Sequence, residues 1–583
     1  MIFGKFSFKG VGAGQIPPSA NVRAFTDGCL SLSAIYPEKL SYANSILVVN
    51  ERYTLHVFGE LILPSGILLH TEVHAREFIE GIIRNESEYL AKCRGVFCLV
   101  LYDNIRKTLK LTTDGFGNLA LHYHYTEGTL CFSTDLGKLT SMVESVTLNN
   151  DAILEYLGFG QPLGEKTLFT RVQRLDRATI LEYDEEGINI RSYHRFSYPT
   201  AGNKDIPAIL SALEEEMLSS ADSIPNNPST EVSLSGGFDS RITAAALIKL
   251  GKKDITFYTH GREDSHDILI ASLIADRFGY RHRKLLFDTS FFASLHENFE
   301  STVGNSFGAF DIRSSPVMAS WKTLPSEVIC SVDSHGGPLL RRQILKAKAF
   351  TSKKYPNIAD FVLAYIHSPL LTSGCLNHDV AQEAKQRSLF SLEEIFGKLP
   401  SDHGNAIDTF YLDQMCAHRY SVAANLQMDH VILSHPLLTA RIADLIFMIP
   451  SELRAKNIIP RHLISSFAPE LTKIPLDNAG FHVPYKGYRW RRYFPHAAER
   501  LFNSKLRKPI FFPSDIINAN IGALEEIILS STNDHLNSAR IEAVLTEHKS
   551  GKDRSELLIA IVSASILFQR LKEIPNTSRK PNH

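Results

Sequence analysis

The chain has 583 residues, 44% of them hydrophobic and 21% charged, which is ordinary globular usage and excludes a disordered chain, a collagen and a coiled-coil rod. Lys and Arg number 62 and Asp and Glu 63, so the chain lacks the basic excess of duplex-DNA binders, and no nucleic acid is expected as a partner. The length fits two large domains, or about three to four of average size.

The sequence predicts a cytoplasmic protein that does not enter a membrane. Its best apolar run, 557–568, is much shorter than the roughly 20 residues that a spanning helix needs. The N-terminus has no apolar segment of the kind found in signal peptides. The seven cysteines are scattered and form no CxxC pair, which excludes a disulfide framework and a zinc ribbon.

The first part of the chain is predicted to be rich in β-strands. Short runs of β-branched and aromatic residues, punctuated by Gly, Asn and Asp, lie at 45–49, 54–58, 96–101, 108–112 and 129–133. The longer stretch 73–90 predicts a helix, and the runs on either side of 184–187 predict a hairpin. A segment rich in Pro, Gly and Asn, 196–207, predicts the main domain boundary. We therefore expect one domain over 1–200 and a second over 201–583.

Strands and helices alternate after this boundary. Strands are predicted at 231–234, 255–259 and 283–287, and helices between them at 242–250 and 268–278. This alternation predicts an α/β domain with a parallel sheet and crossover helices. Beyond about residue 345 the pattern is mostly helical, so a helical C-terminal part is expected.

The most informative motif lies between the first of these strands and an Ala-rich helix. Its six residues are Ser235, Gly236, Gly237, Phe238, Asp239 and Ser240. Two glycines let successive backbone N–H groups point at one anion, and the following helix adds its positive N-terminal end. The hydroxyls of Ser235 and Ser240 can donate, and Asp239 can hold Mg²⁺ against a pyrophosphate. The alternative is a structural Gly-Gly turn with a helix cap. No GK[ST] follows, so the motif is not a Walker A loop.

These residues resemble the pyrophosphatase-type loop of the adenine-nucleotide α-hydrolase-like superfamily. The stretches 258–287, 434–450 and 454–475 resemble the asparagine synthetase domain, and 69–79, 94–125 and 131–139 resemble the class II glutaminase domain. The chain as a whole therefore resembles the asparagine synthetase family. The resemblance implies an Ntn-type αββα sandwich followed by an α/β nucleotide domain, with ATP and Mg²⁺ as cofactors.

The glutaminase-like part departs from that family at its nucleophile. A class II glutaminase uses a Cys that is exposed at the N-terminus once Met is removed, and its α-amine can act as the base. Here Ile2 follows Met1, Cys29 is too far along the chain, and no Arg-Gly-Pro-Asp segment is visible. We expect a domain that no longer hydrolyses glutamine and a substrate that supplies its own amine. In this the chain resembles the β-lactam synthetases and the lasso-peptide macrolactam synthetases.

A second departure lies in the segment 330–342. The family has a Gly-x-Gly-x-Asp-Glu type loop there, whose acidic residues hold Mg²⁺ and pyrophosphate. Ser334-His335-Gly336-Gly337 matches its glycine part, but Pro338 stands where an Asp is expected. Asp333 either replaces this metal ligand or caps the turn. Arg341 and Arg342 are predicted to bind the pyrophosphate, because guanidinium groups bind phosphate bidentately.

Other candidate site residues have structural alternatives. Asp264 and Asp267 follow the second strand and either approach ATP and Mg²⁺ or serve as the cap and first-turn acid of the next helix. Lys456 and Arg461 lie near a family position where a Lys stabilises the adenylate or a developing oxyanion, with a solvated helix face as the alternative. Asp239 and Lys456 are the predicted catalytic residues. The pair His122 and His124 is predicted to be structural.

The sequence thus predicts an ATP-dependent ligase that activates a carboxylate as an acyl-adenylate, releases pyrophosphate and forms an amide. A lasso-type peptide cyclase is its most concrete version, and the expected substrate is a small molecule or peptide with a carboxylate. A partner protein from a biosynthetic cluster is a further expectation. The alternatives are an asparagine synthetase that uses ammonia or glutamine, and a nucleotide-binding pseudo-enzyme partner.

Overall fold

The computed structural model describes residues 1–9, 22–37, 39–40, 46–144, 146–198, 205–341, 355–476, 508–531 and 533–574. These described residues contain three sheets, two antiparallel ones before residue 200 and one parallel sheet after it.

The two antiparallel sheets have six strands each. The first contains β1 (Ile2–Ser7), β2 (Val22–Thr26), β3 (Leu30–Ile35), β8 (His122–Thr126), β9 (Thr129–Ser133) and β10 (Val172–Arg174). The second contains β4 (Ile46–Val49), β5 (Tyr53–Ile62), β6 (Arg94–Asp103), β7 (Thr108–Thr113), β11 (Thr179–Asp184) and β12 (Gly187–Ser192). Their strand orders are β10-β8-β9-β1-β3-β2 and β12-β11-β7-β6-β5-β4.

The sheets face each other across a shared apolar core. Phe6 and Leu32 of the first sheet and Phe58 and Val100 of the second are each at most 1% exposed and belong to that core. Removing a side chain of this size from water contributes about 2 kcal/mol. Alternation along each strand places the intervening residues on the outer faces, which therefore need a cover of their own.

Helices cover the outer faces and complete a four-layer sandwich. Helix α1 (Glu72–Lys92) begins after the cap Thr71, whose hydroxyl accepts from the N–H of His74 at 3.4 Å. Its buried residues lie three and four positions apart, so one apolar face packs on the second sheet. Helix α2 (Leu136–Met142) covers the first sheet, and α3 (Asn150–Phe159) follows it. The expected αββα sandwich is confirmed.

The parallel sheet has five strands. They are β13 (Thr230–Ser233), β14 (Thr256–Gly261), β15 (Arg281–Leu286), β16 (Cys330–Val332) and β17 (Ile432–Ser434). Their order in the sheet is β15-β14-β13-β16-β17, and every neighbouring pair is parallel. The chain leaves β13 toward one edge and returns to it at β16, so the strand order reverses between them. Ligands of open α/β sheets bind in the crevice at such a reversal, outside the carboxyl ends of the strands.

Helices join the strands and form most of the remainder. The helices between 205 and 341 are α4 (Ile206–Asp222), α5 (Asp239–Lys249), α6 (His266–Phe278), α7 (Thr289–Ala293), α8 (Phe299–Asn305), α9 (Ser315–Lys322) and α10 (Gly337–Arg341). The next are α11 (Ile358–Tyr365), α12 (Pro369–Ser373), α13 (His378–Phe396), α14 (His403–Phe410), α15 (Ser421–Gln427), α16 (Ala440–Met448), α17 (Ser451–Arg454) and α18 (Ile458–Phe467). The last are α19 (Pro513–Ala519), α20 (Ile521–Ser530), α21 (Ser538–Lys549) and α22 (Ser555–Glu573).

This architecture confirms the predicted fold class. The strands and helices expected around the loop all occur, with ends that differ from the predicted ones by a few residues. The boundary segment 196–207 includes residues 199–204, which lie outside the described residues. The division into 1–200 and 201–583 therefore stays a prediction, although the antiparallel and parallel sheets lie on its two sides. In the described part of the chain, no helix is long and apolar enough to cross a membrane.

The two halves share buried surfaces. Val328, Met428 and Leu433 of the second half belong to the same core as the interior of the sandwich. Conversely, Phe116 of the N-terminal half, which lies in the turn after β7, belongs to the core of the parallel-sheet half. Phe196 belongs to the same core, and its ring lies 5.9 Å from that of Phe116. The turn that carries Phe116 is thereby inserted between the two halves.

Candidate nucleotide site

The predicted loop lies at the reversal of the parallel sheet. It follows β13, and its last two residues form the start of α5, which begins at Asp239. Its hydroxyl groups bind within the loop: Ser235 Oγ lies 2.9 Å from Ser240 Oγ, and Ser240 Oγ accepts from the N–H of Ser235 at 3.0 Å. The N–H of Gly237 donates to Ser235 Oγ at 3.2 Å. The two serines therefore hold the curl of the loop.

A carboxylate from the next crossover helix closes one side of the loop. Asp267 Oδ1 accepts from the N–H of Gly236 at 2.8 Å. Asp267 lies in the first turn of α6, whose cap is Ser265, with its hydroxyl accepting from the N–H of Ile268. Asp264 instead pairs with Lys508 at 3.0 Å and is half exposed. Of the two acids named from the sequence, the structure thus brings only Asp267 into the loop.

A buried arginine that sequence reasoning missed fixes the other side of the loop. Arg241 is 2% exposed and lies in the first turn of α5. Its guanidinium donates to the carbonyl oxygens of Ile474 at 2.8 Å and Pro475 at 2.5 Å, and to that of Gly236 at 3.3 Å. Five donors in a rigid fork let one side chain join the loop to the segment after α18.

The segment after β16 meets the loop across the crevice. Arg341 Nη2 donates to Asp239 Oδ2 at 2.5 Å, and the Arg341 side chain is 11% exposed. A Cβ atom on Gly337 would lie only 1.9 Å from Asp239 Cγ, so the carboxylate occupies the space that a side chain would need. Gly336 has a φ of +89°, and a Cβ there would lie 2.2 Å from the side chain of Leu438. Both glycines of this segment are thus required by geometry.

Asp333 and Asp239 act on each other electrostatically. The N–H of Asp333 donates to the carbonyl oxygen of Ser434 at 3.0 Å, which fixes its backbone at the end of β16. Burial, and then the negative charge of Asp239, raise the pKa of the Asp333 carboxyl above its usual value. Two mutually repelling carboxylates at one crevice favour a cation between them.

The remaining predicted residues have different surroundings. Pro338 lies in the first turn of α10, where its missing N–H costs no helix hydrogen bond. Arg342 lies outside the described residues. Lys456 is exposed between α17 and α18, and no hydrogen bond or ion pair among the described residues joins it to the loop 235–240. Arg461 is half-buried in α18. The roles given to these residues stay predictions.

A histidine pair that the sequence did not single out stands beside the same crevice. The ring of His335 lies 4.2 Å from that of Tyr420 and 5.4 Å from that of His435. His435 Nδ1 lies 3.3 Å from Asn118 Oδ1, which belongs to the inserted turn of the N-terminal half. Burial lowers the pKa of His335 to about 4, so its imidazole is neutral at neutral pH.

Two family models match separate parts of the chain. The glutamine amidotransferase domain model matches residues 71–194, and the asparagine synthase model matches residues 229–310, which contain the loop, α5 and α6. Proteins of Mycobacterium bovis and Mycobacterium tuberculosis that are named as glutamine-hydrolysing asparagine synthetases are 27% identical over 272 residues. The resemblance to the asparagine synthetase family is confirmed.

The match to these asparagine synthetase relatives is partial. It covers 43% of this chain and 41% of each relative, so the chain spans about two fifths of their length. Among solved structures, a glutamine phosphoribosylpyrophosphate amidotransferase from B. subtilis has a TM-score of 0.21 at 11% identity over 44% of this chain and 52% of that chain. An allosteric regulatory enzyme of purine biosynthesis has the same TM-score at 9% identity over the same shares.

The described cysteines of the glutaminase-like half are largely withdrawn from solvent. Ile2 is fully buried in β1, and its N–H donates to Thr134 Oγ1 at 3.0 Å. Cys29 is half-buried beside β3, and the other six cysteines are buried. Burial raises the pKa of Cys93 to about 12 and also raises that of Cys98, which disfavours the nucleophilic thiolate.

The histidines of β8 have no metal-site geometry. His122 and His124 are buried, and His124 Nδ1 lies 3.0 Å from the carbonyl oxygen of Arg171. Across the described part of the chain, no three His, Cys, Asp or Glu side chains are grouped as metal ligands. A cavity of about 60 Å³ between the two halves is lined by His122, Asp135 and Asn425 among others. No residue of the loop 235–240 lines it.

Proposed function

We propose that the chain is an ATP-dependent ligase that activates a carboxylate as an acyl-adenylate and then forms an amide bond. One observation carries this proposal: at the sheet reversal, a Gly-Gly loop and the first turn of α5 face the segment 333–341, so that Asp239, Asp333 and Arg341 line one crevice. The match to the asparagine synthase model over 229–310 supports it.

Fewer backbone N–H groups can bind phosphate in this crevice than the Gly-Gly motif implies. The N–H groups of Gly236 and Gly237 are already bound by Asp267 and Ser235. The first N–H groups of a helix have no partner within it, and they point toward the positive end of the helix dipole. We therefore assign the β- and γ-phosphates to the first turn of α5 and to the guanidinium of Arg341.

The residues at the crevice fit a magnesium ion. Mg²⁺ takes oxygen ligands and is usually held by one or two carboxylates together with substrate phosphates. Asp239 and Asp333 supply two carboxylates that repel each other without a cation. When bound, the ion would neutralise the charge that develops on the departing pyrophosphate. Asp239 is held by Arg341 in the structure, so a bound metal ion would share this carboxylate with the guanidinium.

The proposed chemistry has two steps. A substrate carboxylate oxygen attacks the α-phosphorus, the bond between that phosphorus and the bridging oxygen breaks, and pyrophosphate leaves. An amine nitrogen then attacks the acyl carbon, the bond to AMP breaks, and the amine loses a proton. The chain supplies orientation through the loop and charge neutralisation through Arg341, which are the main contributions a protein makes to phosphoryl chemistry.

The candidate functions differ in the source of the amine that attacks the acyl-adenylate. Six of the seven cysteines are buried, Cys29 is half-buried, and burial raises the pKa of Cys93, which favours an amine carried by the substrate, as in a lasso-peptide cyclase. An asparagine synthetase that uses ammonia or glutamine is the second candidate, because the relatives in Mycobacterium are named as glutamine-hydrolysing asparagine synthetases. Pro338 in place of an acidic residue favours the pseudo-enzyme alternative.

The test is pyrophosphate release from ATP and Mg²⁺ in the presence of aspartate with ammonia, or of peptides with a free amine and an acidic side chain. We expect release with one of these substrates, and loss of it in Asp239→Asn with the melting temperature retained. Conversion of aspartate and ammonia to asparagine would favour the second candidate. ATP binding without release from any substrate would favour the pseudo-enzyme.

A further inference from the structure

The turn between β7 and β8 reaches from the N-terminal half to the nucleotide crevice. Asp114, 1% exposed, holds this turn: its carboxylate accepts from the N–H of Phe116 at 2.9 Å and from the N–H of Asn118 at 3.1 Å. Phe116 is packed in the core of the parallel-sheet half. Because both halves fix the turn, the position of Asn118 at its end is set by the packing of the two halves together.

The hydrogen bonds of Asn118 define the orientation of its amide. Its Nδ2 donates to Asp114 Oδ1 at 3.0 Å, and a carboxylate only accepts. The carbonyl oxygen Oδ1 therefore faces His435, at 3.3 Å from Nδ1. His435 must carry its proton on Nδ1 to make this bond, which assigns the tautomer from the network. Burial lowers the pKa of His435, so the ring has that single N–H.

His435 is joined to the crevice in two ways. The residue before it, Ser434, accepts from the N–H of Asp333 through its carbonyl oxygen at 3.0 Å. The His435 ring also packs against His335, which lies in the segment that carries Gly337. Nε2 of His335 is buried and has no hydrogen-bond partner among the described residues, so packing against His435 and Tyr420 holds this ring in place.

We propose that Asn118 is a positioning residue of the N-terminal half for the nucleotide site, because its bond to His435 holds the segment 333–341 against the loop. The proposal rests on the proposed function, since it assigns a role at the same crevice. It gives the glutaminase-like half a task that needs no glutamine: without that half, His435 has no acceptor on Nδ1, and the carboxylates of Asp333 and Asp239 lose their fixed separation.

The experiment measures the dissociation constant of ATP with Mg²⁺ for the full chain by calorimetry. Asn118→Leu removes the acceptor at similar volume, and His435→Phe removes the donor while it keeps a ring beside His335. A net hydrogen bond is equivalent to at most about tenfold in an equilibrium constant, so each variant should bind ATP more weakly by up to about tenfold. Asn118→Leu also removes the bond from Nδ2 to Asp114. Because the bond to His435 is common to both variants, the double variant should lose less affinity than the product of the two single losses.

Asn425→Ala is the matched control. Asn425 also joins the two halves, since its Nδ2 donates to the carbonyl oxygens of Ala120 at 2.8 Å and Thr134 at 2.7 Å, but it does not contact the segment 333–341 by any of these bonds. This variant should lower the melting temperature and leave the ATP dissociation constant of the folded protein unchanged. If Asn118→Leu does not fold, His435→Phe tests the same bond from the other side.

The outcomes separate the two proposals. ATP binding that is unchanged in both single variants, or a loss in the double variant equal to the product of the two single losses, overturns the role of Asn118 and leaves the ligase proposal standing. Wild-type protein that binds no ATP with Mg²⁺ overturns both. An equal loss of ATP affinity in Asn425→Ala also overturns the role of Asn118. It would show that any weakening of the contact between the two halves lowers ATP affinity.

Discussion

Gly337→Ala should disable the nucleotide site in a chain that still folds, with a modestly lowered melting temperature. The added Cβ would lie 1.9 Å from Asp239 Cγ, whereas carbon atoms in contact are about 3.5 Å apart. The added Cβ would also lie 2.4 Å from Asp239 Cβ, which rotation of the Asp239 side chain does not move, so α10 or the start of α5 must shift by about 1.5 Å. This shift displaces the Asp239 carboxylate from its place in the crevice, where its present partner is Arg341 at 2.5 Å.

The expected loss of pyrophosphate release follows from this displacement. Misplacing a group at a reacting centre by about 1 Å costs about 100-fold in rate, so pyrophosphate release should fall by at least about that factor. Gly337 does not have a positive φ, and Ala is favoured over Gly in a helix by about 1 kcal/mol, but overpacking at this buried position costs about 1–3 kcal/mol, so the melting temperature should fall modestly. Pyrophosphate release and thermal unfolding measured on the same preparation check both statements.

Gly522→Ala provides the control for the same chemical change. Gly522 lies in α20, and a Cβ there would meet nothing within 4 Å. This variant should release pyrophosphate at the wild-type rate and melt at or slightly above the wild-type temperature. Wild-type pyrophosphate release in Gly337→Ala would contradict the reasoning, because it would show that the position of the Asp239 carboxylate is irrelevant to the chemistry.

Three further outcomes are expected. Arg341→Ala should slow pyrophosphate release more than it weakens AMP binding, because AMP lacks the phosphates assigned to this guanidinium; equal losses in the two assays would refute that assignment. Burial raises the pKa of Glu60 to about 7, so the folded chain holds this proton more tightly than the unfolded chain, and stability falls as pH rises from about 4.5 to about 7. Glu60→Gln should therefore be more stable than wild type at pH 8, by at most about 3 kcal/mol, and the two should converge near pH 4, as urea unfolding can show. Purified chain should release no glutamate from glutamine, because six cysteines are buried and the seventh, Cys29, is half-buried beside β3; turnover that Cys29→Ser abolishes would contradict this.

The sequence was sufficient for the fold and for the position of the loop. The apolar run before Ser235, the glycine pair and the Ala-rich run after Ser240 are all local features, and they predict a strand, a turn and a helix without knowledge of the rest of the chain. The resemblance to the asparagine synthetase family then supplied the second sheet-forming half, and the structure has both.

The contacts that shape the crevice could not be predicted from the sequence. Asp267 binds Gly236 across 31 residues, and Asn118 faces His435 across 317. Such pairs depend on the order of strands in the sheet and on how the two halves pack, and no local pattern encodes either. The same is true of the hydroxyls of Ser235 and Ser240. Their residue type predicted donors for phosphate, whereas in the structure the two hydroxyls bind each other.

If the chain is a ligase of this kind, ATP is cleaved between its α- and β-phosphates at the crevice formed by 235–240 and 333–341. This cleavage can be followed with ATP labelled in the α-phosphate, Mg²⁺ and the substrates named above, by chromatography of the nucleotides. We expect the label to appear in AMP, unlabelled pyrophosphate to form in equal amount, and Gly337→Ala to reduce both. Label in ADP, with release of phosphate, would contradict this expectation.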